Sequence, residues 1–160
     1  MRRLCSTIVL TLLIGAAQPG RQPLGIFSDW GAFRDARPVH CYAIATPARR
    51  AGRYRSFASV AIWPRERISG QIHFRLREPR APRSPIRLFV GERQFSLVAG
   101  SVDAWAPDAR ADAAIIAAMR SATSMRVAWV SADGRDRSDG YLLKGVATAI
   151  DTAALGCTRR

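Results

Sequence analysis

Hydrophobic and polar residues alternate in short runs along most of the chain, which is the pattern of half-buried β-strands. The clearest run is QIHFRLR at 71–77, which places Ile72, Phe74 and Leu76 on one side of a strand. Other runs are rich in β-branched and aromatic residues, and they predict strands at 27–33, 39–45, 56–63, 86–90, 94–98, 124–130 and 141–145. The chain is therefore predicted to be mainly β.

Glycine, proline and charged residues separate these runs. EPRAPRSP at 78–85 carries three prolines and predicts a loop, while Gly91-Glu92-Arg93 predicts a three-residue hairpin connection. A basic loop is predicted at 49–55 and a turn at 131–140, SADGRDRSDG. Short connections of this kind are typical of antiparallel sheets.

The spacing of hydrophobic residues becomes helical in two places. The alanine-rich stretch APDARADAAIIAAMRSA predicts one longer helix at about 107–121, with Asp108 and Asp112 near its positive end. The stretch 146–155 predicts a short C-terminal helix that ends at Gly156. Because helices and strands do not alternate regularly, the elements predict a small antiparallel β-sandwich or partly open barrel and not a parallel sheet.

The first 17 residues, MRRLCSTIVLTLLIGAA, have the order of a secretory signal peptide. A basic start at Arg2 and Arg3 precedes an uncharged apolar stretch, and small residues follow it. The apolar stretch is shorter than the ~20 residues of a transmembrane helix. We expect cleavage after Ala17, a single β-rich exported domain at 18–160, a periplasmic or secreted location, and no transmembrane segment in the mature chain.

Export would leave two cysteines, Cys41 and Cys157, in an oxidising compartment. An even number there favours a disulfide between them, with two unpaired thiols as the alternative. A catalytic thiol is disfavoured because His40, the neighbour of Cys41, would point to the opposite face of a strand. Zinc is disfavoured because these cysteines and the two histidines, His40 and His73, show no C-x-x-C spacing.

Arginine dominates the charge of the chain. Lys and Arg total 25 against 12 Asp and Glu, a net charge of +13, and residues 47–93 hold twelve arginines and three glutamates. Basic side chains share one face of strand 71–77, and strand 86–90 adds another if the two strands pair. The predicted anion-binding residues are His73, Arg75, Arg77 and Arg87. Lipopolysaccharide, lipid headgroups or acidic glycans would be the partners; a solvated face is the alternative, and nucleic acid is not expected.

Catalytic and metal-binding motifs are absent from the sequence. It has no G-x-S-x-G, no Walker loop, no G-x-G-x-x-G and no H-E-x-x-H. Asp133, Asp136 and Asp139 are three apart, whereas the first ligands of a calcium loop are two apart. The four tryptophans are expected to fill core, with a stacking platform for a sugar or base as the alternative. We expect no enzyme, no catalytic residue, no metal and no cofactor.

Two segments resemble the invasion-associated locus B family. DWGAFRDARPVHCYAIATP resembles its N-terminal region with D-W and a cysteine, and SDGYLLKGVATAIDTAAL resembles its C-terminal block, with Gly145 and Ala149-Ile150-Asp151. Between them, ADAAIIAAMRSATSMRV matches the family's helix and following strand. The family comprises small exported proteins of alphaproteobacteria, some linked to host-cell invasion, and it offers no catalytic residues to carry over. Its members carry a central cysteine pair that FSLVAGSVDAW lacks, which indicates a divergent branch.

These features together predict an exported, non-catalytic accessory protein that binds an envelope component, or an envelope or host protein. Two alternatives stay open. One is a protease-inhibitor-like module, by analogy with other small disulfide-tied β domains, and the other is an enzyme of unknown type. A deep pocket with converging polar groups would favour the enzyme, an exposed rigid loop the inhibitor, and a flat basic or apolar patch the binding protein.

Overall fold

The computed structural model describes residues 20–49 and 55–158. In these residues one antiparallel sheet of ten strands carries two helices, α1 (Ala109–Ser121) and α2 (Val146–Thr158). The strands are β1 (Arg21–Phe27), β2 (Trp30–Ala36), β3 (Val39–Ala45), β4 (Phe57–Trp63), β5 (Ile68–Arg75), β6 (Ile86–Val90), β7 (Arg93–Ala99), β8 (Asp103–Trp105), β9 (Ser124–Val130) and β10 (Asp136–Leu142). Across the sheet their order is β1-β2-β3-β4-β5-β8-β7-β6-β9-β10.

The two ends of the sheet approach each other, which gives a partly open barrel. The indole Nε1 of Trp30 donates a hydrogen bond of 2.9 Å to the Leu142 carbonyl. The Ala48 amide donates one of 2.9 Å to the Gly140 carbonyl. The core fills the enclosed face, where Ile72, Phe74 and Leu76 are each at most 1 % exposed, as the alternation predicted. The predicted fold class, mainly β and antiparallel, is confirmed.

Helix α1 begins after Asp108 and docks on β5. The Asp108 side chain accepts a hydrogen bond of 2.8 Å from the Ala111 amide, which caps the helix. Ile115 and Met119 reach the core. The Asp112 carboxylate accepts a hydrogen bond of 2.7 Å from the Ile72 amide, so the first turn is fastened to the strand. The predicted longer helix is confirmed within two residues at its start.

Helix α2 packs on the enclosed side of β1, β2 and β3. Cys157 in its last turn is bonded to Cys41 of β3, with the Cα atoms 5.7 Å apart, so the predicted disulfide is formed. The predicted C-terminal helix is confirmed from residue 146, but it continues beyond Gly156 to Thr158 and has 13 residues like α1. A Cβ at Gly156 would meet the terminal methyl groups of Leu24, so this glycine leaves room for the Leu24 side chain of β1 against the helix.

Two predicted local elements are wrong. The strand predicted at 27–33 is divided by a turn at Ser28-Asp29, because Phe27 pairs with Trp30 across a hairpin. The turn predicted at 131–140 is too long, since β10 begins at Asp136 within it.

The predicted pairing of strands is also wrong in two respects. Strand 86–90 does not pair with β5; β8, which the sequence pattern missed, occupies that position. The connection between β6 and β7 has two residues, because Arg93 already pairs with Val90.

The predicted signal peptide at 1–17 and most of the predicted basic loop, residues 50–54, lie outside the described residues. Neither helix of the described part has the length and apolar character needed to cross a bilayer.

Candidate functional site on the outer face of the sheet

The outward positions of β4 create a depression. They read Phe57, Ser59, Ala61 and Trp63, which is a large, small, small, large series on alternate residues. Both small residues are 8 % exposed. Since neither helix packs on this face, the two small side chains form the floor of a groove that is open to solvent.

The flanking strands supply the walls of this groove. Tyr42 of β3 and Gln71 of β5 lie on either side of Ala61, and Ile44 and His73 lie on either side of Ser59. The cavity has a volume of about 590 Å³, within the range of small-molecule sites. We call it the outer groove, and it is lined by Arg21, Phe33, Asp35, His40, Tyr42, Ile44, Phe57, Ser59, Ala61, Trp63, Gln71, His73 and Trp105.

One end of the outer groove is built around His40. Its ring stacks on Trp63 with centroids 4.2 Å apart and planes 5° from parallel. Its Nδ1 lies 3.1 Å from the Pro38 carbonyl oxygen, which can only accept, so Nδ1 carries the proton. In the neutral ring Nε2 is then an acceptor, 3.8 Å from the Asp35 carboxylate. The Asp35 carboxylate also binds Arg21 at 3.2 Å.

The other end is built around His73. Its Nε2 lies 2.8 Å from Asp103 Oδ1, and its ring stacks on Trp105 at 5.2 Å with planes 6° from parallel. The Phe57 ring meets it edge-on at 5.2 Å. Arg75 donates to the same Asp103 carboxylate at 3.0 Å. Packing and hydrogen bonding together hold the His73 ring in one orientation.

Two polar groups in the outer groove lack partners. The Tyr42 side chain belongs to a residue that is 8 % exposed, and its hydroxyl has no hydrogen bond of acceptable geometry among the described residues. Burial raises the pKa of Tyr42. The Asp35 carboxylate beside the hydroxyl raises it further, by its charge and as a poorly aligned acceptor, whereas Arg21 opposes the rise. The buried Nε1 of Trp63 is also without an acceptor in the described part of the chain. Unpaired buried polar groups are costly. Both atoms are covered by surrounding side chains, so a ligand would reach them only after those side chains move.

The four residues predicted to bind an anion do not form one site. His73 lines the outer groove, and Arg75 beside it is paired with Asp103. Arg77 points to a buried carboxylate, that of Asp139, at 3.3 Å. Arg87 lies on β6, which β8 and β7 separate from β5. Anion binding by these four residues stays a prediction, and their arrangement on a single face is wrong because the strand pairing differs.

The sequence pattern singled out His40 and His73, but it did not predict the groove that both line. Trp63 and Trp105 line it, whereas Trp30 and Trp129 are buried in the core. The signal available was the series of alternate residues on 57–63, in which two small residues are bracketed by two aromatic ones. The series predicts the floor of a groove only when it is known that this face of β4 is not covered by a helix.

The outer groove also contains the elements of a serine–histidine–aspartate arrangement. Ser59 is paired with His73 across β4 and β5, and His73 is bound to Asp103. Between these two described residues, however, no hydrogen bond joins the Ser59 hydroxyl to the His73 ring. A general base must reach the proton that it removes, so nucleophilic catalysis here would require the Ser59 and His73 side chains to come together.

Comparison with known proteins shows a shared fold. No family model matches this sequence, and no curated protein is significantly similar to it. Among solved structures, the crystal structure of invasion associated protein B from Bartonella henselae is similar, with a TM-score of 0.63 and 15 % sequence identity. The match covers 85 % of this chain and 98 % of that one. At this identity the likeness shows that the chain has the fold of invasion associated protein B.

Proposed function

We propose that this is an exported, non-catalytic protein of the cell envelope that binds a neutral saccharide in the outer groove. The observation that carries the proposal is the floor of Ser59 and Ala61 between aromatic walls, with the polar side chains of Gln71 and His73 also lining the groove. Pyranose rings present apolar C–H faces and a rim of hydroxyl groups. They therefore match a surface in which aromatic rings alternate with hydrogen-bonding groups.

The charges around the outer groove support a neutral ligand. Arg21 is paired with Asp35, and Arg75 and His73 are paired with Asp103. Each carboxylate therefore already has a cationic or hydrogen-bonding partner, and each of these arginines has a carboxylate. A ligand that carried a net charge would have to displace one of these pairs, which a neutral saccharide need not do.

The rigidity of the walls supports binding as the task of the site. His40 and Trp63 are stacked at one end, and His73 and Trp105 at the other. Rings that are already stacked lose little conformational entropy when a ligand arrives, so the groove is preorganised.

Titration with three neutral oligosaccharides, an N-acetylglucosamine trisaccharide, maltotriose and cellotriose, tests the proposal. Tryptophan fluorescence is the readout, because Trp63 and Trp105 line the groove. Ala61→Leu fills the floor and should abolish binding. Gln94→Leu adds the same side chain at an exposed position of β7 and should leave binding intact. Absence of binding by all three probes, or binding that Ala61→Leu does not alter, would overturn the proposal.

Export is supported by the disulfide between Cys41 and Cys157, since such bonds persist in oxidising compartments. It is supported also by the basic, apolar and small-residue order of residues 1–17. Mass spectrometry of the protein purified from its host should show a chain that begins at Gln18. A full-length cytoplasmic chain would contradict this part of the proposal.

A hydrolase is the second candidate, favoured by the bond of 2.8 Å between His73 and Asp103 and by the position of Ser59 opposite His73. A fluorophosphonate probe distinguishes it from a binding protein, because the probe labels activated serines. The binding proposal expects no labelling. Labelling that Ser59→Ala abolishes would establish the hydrolase instead.

A further inference from the structure

A second cavity, separate from the outer groove, lies over β6, β9 and β10. It has a volume of about 510 Å³, and four arginines line it: Arg77, Arg87, Arg126 and Arg137. Arg77 is paired with Asp139, and Arg137 with Glu78 and Asp133. In the part of the chain that the structure describes, neither Arg87 nor Arg126 has a carboxylate within ion-pair distance.

The strand register brings the two unpaired arginines together. Arg87 of β6 lies opposite Ala128 of β9, and Arg126 is two residues before Ala128 on the same face. Diagonal neighbours of this kind have Cβ atoms about 7 Å apart, well within the reach of two arginine side chains. Ser138 of β10 lies opposite Ala128 on its other side. The methyl group of Ala128 thus forms a low floor between two guanidinium groups and a hydroxyl.

The Arg126 side chain is held in place by an aromatic ring. Its guanidinium carbon lies 4.3 Å from the centroid of the Phe89 ring, directly across the strand pair. A guanidinium stacked on a ring keeps its N–H groups free in its own plane, where they can bind an anion.

One carboxylate lines this cavity, that of the exposed Asp136. In the pairing of β10 with β9, Asp136 lies opposite Val130, whereas Ser138 lies opposite Ala128. The arginines therefore outnumber it, and the space above Ala128 remains positive.

We infer that the cavity above Ala128 binds a phosphate group between Arg87, Arg126 and Ser138. Two guanidinium groups and a hydroxyl can donate to the oxygens of one tetrahedral anion in charge-assisted hydrogen bonds. The site uses other strands than the outer groove, so a phosphorylated envelope molecule and a neutral saccharide would bind independently. The shared chemistry is the phosphate group, which belongs either to a free phosphate or to a lipid headgroup.

Two probes distinguish these sources: inorganic phosphate, and vesicles of phosphatidylcholine with or without phosphatidylglycerol. Binding of phosphate is followed by amide chemical shifts at low ionic strength, and binding of vesicles by sedimentation. Arg87→Gln with Arg126→Gln should weaken binding about tenfold or more, since two charge-assisted hydrogen bonds are lost. Arg65→Gln with Arg110→Gln removes the same charge from exposed positions elsewhere and should have a much smaller effect.

A substitution that leaves the charge unchanged tests the geometry. Ala128→Leu fills the floor and should weaken binding like the double arginine variant, whereas Ala128→Ser should retain binding. Binding of inorganic phosphate would show that a free phosphate group is sufficient for recognition. Binding to phosphatidylglycerol vesicles without binding of inorganic phosphate would show that the ligand is a lipid headgroup. The inference is overturned if neither probe binds, if Ala128→Leu binds like the wild type, or if the two double variants lose equal affinity.

Discussion

The Arg77 guanidinium lies 3.3 Å from the Asp139 carboxylate, which is 1 % exposed and faces the enclosed side of β10. Neither carboxylate oxygen of Asp139 has a hydrogen bond of acceptable geometry in the described structure. Burial raises the pKa of Asp139, and the charge of Glu78 adds to the rise. The charge and the backbone amide of Arg77 and the nearby Ser56 hydroxyl oppose it, and burial is the largest of these effects. The ionised carboxylate is therefore costly to bury even with its partner in place.

A dependence of stability on pH follows from this raised pKa. The folded pKa lies above the unfolded value of about 3.9, so the contribution of Asp139 is fully present below that pH and is lost as pH rises through the folded pKa. The free energy of unfolding of the wild type minus that of Asp139→Asn should therefore fall as pH rises from about 3 to 7. The fall is about 1.4 kcal/mol for each pKa unit.

Urea unfolding at a series of pH values measures this difference. Asp136→Asn, which removes an exposed carboxylate from the same strand, is the matched control. A difference that rises with pH would show that attraction to Arg77 outweighs the cost of burial, and it would contradict the prediction.

The disulfide should make a large contribution to stability. It joins positions 116 residues apart, and the chain-entropy model assigns about 4–5 kcal/mol to a loop of this length. Replacing both Cys41 and Cys157 by alanine should lower the free energy of unfolding by several kcal/mol in urea. A reducing agent should lower the stability of the wild type to a similar extent and leave the double variant unchanged. Equal stability of the oxidised wild type and the variant would contradict the prediction.

The carboxylate of Asp112 replaces a missing strand partner. Strand β8 pairs with β5 only from His73 to Arg75, so the amide of Ile72 finds its acceptor in Asp112 at 2.7 Å. Burial raises the pKa of Asp112 while this hydrogen bond lowers it. Asp112→Ala leaves the amide unpaired and should cost about 1–3 kcal/mol.

Asp112→Asn keeps an oxygen acceptor without the charge, so it should cost clearly less than alanine. Urea unfolding of the three proteins at neutral pH is the comparison. If the alanine and asparagine variants are equally destabilised, the hydrogen bond to Ile72 is not the reason for the loss.

Much of the core could be predicted from sequence because its signals are local. The alternation at 71–77 identified three buried residues, and the even number of cysteines that the chain would keep after the expected cleavage identified the disulfide. In both cases the deciding information lies in residue type and spacing, which a single chain displays.

The groove and the cavity over Ala128 depend instead on which strands are neighbours. Ser59 and Ala61 form a floor only because neither of the two described helices covers that face of β4, and Arg87 meets Arg126 only because β6 pairs with β9. Asp139 shows the same limit. SADGRDRSDG has the composition of a turn, and the groups that face the buried carboxylate, Arg77 and Ser56, lie far away in the sequence.

A comparison of two glycines with positive φ, Gly145 and Gly134, separates the effect of a close contact at Gly145 from the effect of backbone strain. Gly145 has φ +86°, and a Cβ there would collide with the backbone of Phe27, where the turn between β10 and α2 lies against the end of β1. Gly134 has φ +79°, and no atom lies within 4 Å of the corresponding Cβ position. Both Gly→Ala variants incur the cost of the left-handed conformation, about 1–2 kcal/mol.

Gly145→Ala should be destabilised further than Gly134→Ala by about 1–3 kcal/mol or more, since overpacking against backbone forces the chain to move. Urea unfolding midpoints of the two variants give the difference directly. Equal losses would show that backbone conformation alone requires glycine at 145. A larger loss for Gly145→Ala would show that the contact with Phe27, which helps to close the barrel, requires glycine at 145. This glycine lies in the segment that resembles the invasion-associated locus B family.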